Sequence, residues 1–146
     1  MKPNKLGKGV LASLVFSLLA AAILGCGAGN LTINQVKPNS SDLGSGWKLS
    51  KEVEASTANA AAGSVIPQLF KAGAVRIINQ TFTKDSEELQ VNLVQMDNSQ
   101  DATTAVKLLN SVAGGVNTIG AKQNIAVEII GSPANRAAAA KALNIQ

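Results

Sequence analysis

The first 26 residues constrain this chain more than any other stretch. Lys2, Lys5 and Lys8 make a positive start free of acids, and Val10–Leu24 follow as fifteen uncharged, mostly apolar residues. Gly25 and Cys26 close the segment. An apolar run of about 7–15 residues suits the core of an export signal, whereas a bilayer-spanning helix takes about 20. Residues 1–25 therefore read as a three-part export signal, and the chain that must fold alone begins after it. The competing reading is an uncleaved membrane anchor. The shortness of the run and its small, turn-permissive end weigh against that.

Ile23-Leu24-Gly25-Cys26 resembles the lipobox of bacterial lipoproteins: an aliphatic residue, two smaller residues ending in Gly or Ala, then Cys. Leu24 is bulkier than is usual before Gly25. The resemblance implies that the Cys26 sulfur carries a diacylglyceryl group and that a lipoprotein signal peptidase cuts between Gly25 and Cys26. It also implies that the freed amino group takes a further acyl chain such as palmitate. Two or three chains, at about 0.8 kcal/mol per buried methylene, anchor stably where one is marginal. An ordinary cut after Ala28 is the alternative. Cys26 is the sole cysteine of the chain, and its place at the boundary favours lipidation. With Gly27 rather than Asp after the Cys, the resemblance implies the outer membrane if the host is Gram-negative, and otherwise the outer face of the cell membrane.

Export changes the charge argument. The whole chain carries +4, but ten basic and nine acidic residues follow Cys26, which leaves +1. The apparent basicity belongs to the signal, so the composition does not point to nucleic acid. There is no His, the commonest general base and metal ligand, and no Tyr. A lone Cys excludes intrachain disulfides and Cys-built metal clusters. No cofactor or metal is expected.

Cys26–Leu43 is rich in Gly, Asn and Ser and reads as a lipidated Cys and flexible tether, with one short strand at Leu31–Val36. About 15 flexible residues span roughly 20 Å. A single domain is expected over 44–146, opening at Gly44-Ser45-Gly46. The patterning predicts strands at Lys48–Val53, Val75–Thr83 and Glu88–Met96, the last two forming a hairpin about Lys84-Asp85-Ser86. Asn59–Lys71 reads as a helix broken by Pro67 and stopped at Gly73. Ala102, Ala105, Val106, Leu109 and Val112 recur at helical spacing after an Asn98 or Ser99 cap, and Gly114-Gly115 ends that helix. Ile125–Ile129 alternates as a strand, and Ser132-Pro133 opens an alanine-rich final helix with Arg136 and Lys141 exposed. The order predicts an α+β fold: a small antiparallel sheet with two to three helices on one face. Gly46-Trp47, Gly73, Ser99-Gln100-Asp101-Ala102 and Ile119-Gly120 give the domain a resemblance to small uncharacterised secreted bacterial domains, which carries over no catalytic residue.

Candidate chemistry is sparse. Gly115-Val116-Asn117-Thr118-Ile119-Gly120-Ala121-Lys122 approaches a phosphate-binding loop, but Ala121 separates Gly120 from Lys122, and Gln123 stands where Ser or Thr is required. It reads instead as a flexible connection. Asp85, Glu87 and Glu88, with Asp97 and Asp101, offer carboxylates without calcium-loop spacing. Ser40, Ser41, Thr103 and Thr104 have no His to activate them, leaving Lys84 or Lys122 as the base of a Ser–Lys pair. Trp47 is either a core residue or a ligand or partner contact.

The expectation is a membrane-anchored lipoprotein of the cell envelope. Its domain is read as a non-catalytic binding or scaffolding module, not an enzyme, with the membrane and an envelope protein as partners. A small apolar-ligand or lipid carrier is the first alternative, marked by an apolar cavity beside Trp47. A minimal carboxylate or Ser–Lys hydrolase is the second, marked by convergence of those groups.

Overall fold

A two-residue turn at Asp85-Ser86, with Asp85 in the left-handed region at φ 53°, folds the centre of the chain into a long hairpin. The computed structural model describes residues 29–145. The segment read as an export signal, with Gly25 and Cys26, lies outside the described residues. The hairpin strands are β2 (Ala74–Lys84) and β3 (Glu87–Met96), in continuous antiparallel register from Lys84↔Glu87 to Arg76↔Gln95, beyond which Ala74↔Met96 follows a bulge. β1 (Lys48–Ala55) flanks β2, β5 (Ile125–Ile130) flanks β3, and β4 (Thr118–Lys122) lies outside β5. The resulting five-stranded sheet has the order β1-β2-β3-β5-β4, with every neighbouring pair antiparallel. Four α-helices complete the described chain: α1 (Ile33–Val36), α2 (Ile66–Lys71), α3 (Ser99–Ala113) and α4 (Pro133–Leu143), with a 3-10 turn at Ser40–Leu43. The fold is α+β, as the patterning predicts.

The helices divide between both faces of the sheet, where the sequence reading placed them on one. On the first face, Ile78 and Phe82 of β2, Leu89, Val91 and Leu93 of β3, and Ile125, Val127 and Ile129 of β5 form one core. Ile33 and Val36 of α1, Trp47, and Ala139 and Leu143 of α4 cover it. On the second face, Ala55, Ile77, Val94, Met96 and Ala126 pack under Leu69 of α2 and Ala102, Ala105 and Leu109 of α3. Strand residues alternate between the faces, so the adjacent apolar pairs Ile77-Ile78 and Leu93-Val94 are the mark of burial on both sides.

Local chemistry fixes the helix ends. The Asn98 side chain accepts from the Asp101 N–H at 2.9 Å and opens α3, and Gly114 closes it at φ 60°. Ser132 caps α4 by accepting from the Asn135 N–H. Pro67 sits in the first turn of α2, where its missing N–H costs nothing, so it begins that helix instead of breaking one. Arg136 is half-buried rather than exposed.

The segment read as a tether is part of the fold from Asn30 onward. Leu31–Val36 forms no strand; Ile33 begins a helical turn and is fully buried with Val36 in the first core. Asn124, 1% exposed, holds the chain there. Its Oδ1 accepts from the Leu31 N–H at 2.7 Å, and its Nδ2 donates to the carbonyls of Leu31 at 3.1 Å and Met96 at 2.9 Å. One side-chain amide thus does the work of a short strand pairing. The domain boundary moves from residue 44 back to about residue 30.

Candidate functional site

The second face is covered at one end only. The row of Ala55, Ile77, Val94 and Ala126, aligned across four strands, lies beneath α2 and α3. The next rows are polar. Val53, Asn79, Asn92 and Glu128 stand side by side across β1, β2, β3 and β5, and Lys51, Thr81 and Gln90 form the row beyond. Lys51, Val53, Asn79, Gln80, Thr81, Gln90 and Asn92 line a groove of about 360 Å³.

Glu128 stands beside the groove residue Asn92 on the neighbouring strand. The glutamate is 7% exposed, and its carboxylate accepts from the Asn92 Nδ2 at 2.9 Å and from the Asn117 Nδ2 at 2.8 Å. These charge-assisted bonds fix the Asn92 amide and leave its Oδ1 as an acceptor along the groove. Lys51 supplies an ammonium on the opposite side. Half-buried amides and a hydroxyl, with one cation at the rim, can hydrogen-bond a polar or singly anionic ligand in an extended pose. They offer little to an apolar one.

Electrostatic pairing occurs on the other face of β1. Lys37 lies 3.0 Å from Glu52, which also accepts from the buried Gln80 Nε2 at 2.8 Å. The Lys37 ammonium, helped by Gln80, holds the Glu52 carboxyl below the usual carboxylate range against a smaller effect of burial. Arg76 lies 2.8 Å from Glu54 and lowers it in the same way.

The residues singled out from the sequence do not converge. Trp47 is 8% exposed and packs in the first core. The groove lies on the opposite face and is polar where an apolar cavity beside Trp47 was the mark of a carrier. Asp85, Glu87 and Glu88 stand exposed at the hairpin tip, while Asp101 is tied to the Asn98 cap. Ser40 accepts from the Leu49 N–H, and the Thr103 and Thr104 hydroxyls donate to carbonyls of their own helix. Lys122 donates to the Leu143 carbonyl at the end of α4. The phosphate-loop lookalike is the helix stop Gly114-Gly115 followed by strand β4, not a flexible connection. Among the described residues, no three acidic or Cys side chains gather to hold a metal ion. None of their helices is long and apolar enough to cross a membrane.

The groove residues carry no motif in the sequence, where Gln90 and Asn92 form the polar half of β3. Their signal is ordinary alternation, and only the position of α3 separates them from a solvent-facing strand. Comparison with family models, with curated proteins and with solved structures finds no match to this chain.

Proposed function

We propose that this chain is an exported bacterial lipoprotein, held on an envelope membrane by acyl chains on Cys26. Its α+β domain serves as a non-catalytic binding or scaffolding module that engages a polar partner through the groove. The observation that carries the reading is the three-part segment closing on the sole cysteine. The amide-lined groove supports a binding role. Confinement at a membrane raises the effective concentration of any partner held there, which makes anchoring itself a mechanism. In a Gram-negative host the outer membrane is the destination; otherwise it is the outer face of the cell membrane.

Fractionation tests the reading. The wild-type chain stays with membranes through a high-salt wash, and Cys26→Ser moves to the soluble or precursor fraction. Wild type and Cys26→Ser partitioning alike would refute the anchor.

A further inference from the structure

We infer that the domain stands on the membrane at the end of the sheet where Asn124 holds Leu31, with the β2–β3 hairpin and the groove turned toward the aqueous side. The inference rests on the Cys26 anchor proposed above and adds the surface that meets the lipid headgroups.

The length of chain between Cys26 and the first fastened backbone decides it. Among the described residues, Leu31 is the first whose backbone is fastened, through both its N–H and its carbonyl to Asn124. Five residue steps separate it from Cys26, a reach of at most about 17 Å when fully extended. The free tether expected from the sequence, ending near residue 43, would have let the domain drift and turn; this one holds a chosen end down.

The end that is held is defined by the sheet. The last residue of β3, Met96, and the first of β2, Ala74, are paired there, and Lys122 and Ile125 flank the β4–β5 turn at Gln123-Asn124. Gln123 is exposed at the crest of that turn. The opposite end is the Asp85-Ser86 tip, nine residues along β3 from Met96, about 30 Å away at strand rise. Asn92 and Gln90 lie about 10 and 17 Å from Gln95 in the same direction. The tip carries Asp85, Glu87 and Glu88 against Lys84. That acidic balance is repelled by anionic headgroups.

The test uses the full lipidated chain, purified from membranes and placed in vesicles containing anionic lipid and a headgroup-attached energy acceptor. A donor dye goes on Gln123→Cys in one sample and on Ser86→Cys in another, both exposed positions. Quenching several-fold stronger at position 123 than at 86 supports the orientation. Equal quenching, or stronger quenching at 86, overturns it. Intact mass on the same samples separates the two readings: acylated Cys26 with equal quenching defeats the orientation alone, and an unacylated chain defeats the anchor and the orientation together.

Discussion

Replacing Asn124 with Ala tests whether residues 30–43 belong to the fold. The side chain is 1% exposed and makes three hydrogen bonds, of 2.7, 3.1 and 2.9 Å, to Leu31 and Met96. At about 1 kcal/mol net for each bond the loss is about 3 kcal/mol. Leu31 is half-buried, so water recovers part of the hydrogen bonding, and the expected cost is about 2–3 kcal/mol. That is a large share of the 5–15 kcal/mol typical of a domain, yet it leaves the variant folded. Asn124→Asp fares no better: it keeps the acceptor for the Leu31 N–H but turns a buried oxygen against two carbonyls. Urea denaturation reads the effect through Trp47, the sole tryptophan, which packs in the same core as Ile33. A shift below about 0.5 kcal/mol, the range of ordinary surface substitutions, would refute the latch and restore the free tether.

Ile33→Ala empties a fully buried site in α1 and costs about 2–5 kcal/mol by the same denaturation, with protease cleavage appearing between residues 30 and 43. Glu52 has its folded-state pKa lowered by Lys37, so the pair stabilises above the unfolded value and that stability is lost as pH falls through the folded one. Below about pH 4.5 the wild type loses up to about 1 kcal/mol that Glu52→Gln does not, a small figure because both side chains meet solvent. Glu128→Gln leaves one carbonyl oxygen to serve two amides and opposes an NH2 group to the second. It costs about 1–2 kcal/mol and changes the side-chain amide resonances of Asn92 and Asn117 in NMR spectra.

The hairpin, the cap at Asn98, the stop at Gly114 and the cap at Ser132 were legible because each is decided by neighbours in sequence. β4 was not, since Thr118–Lys122 is five residues with Gly120 at its middle and becomes a strand only by pairing with β5. The two-sided sheet was written in Ile77-Ile78 and Leu93-Val94, where consecutive apolar residues break strict alternation. The latch was illegible: nothing near Asn124 in sequence announces that its amide will meet Leu31, 93 residues away. The groove was half legible, as a polar strand face whose exposure depends on where α3 comes to rest.

Intact mass of the membrane-extracted protein, run beside Cys26→Ser, tests the central claim most directly. The expected result is a chain that starts at Cys26 and carries added diacylglyceryl and acyl mass, both absent from the variant. An unmodified soluble chain starting at Gly29, after an ordinary cut, would contradict it and make this a freely secreted domain.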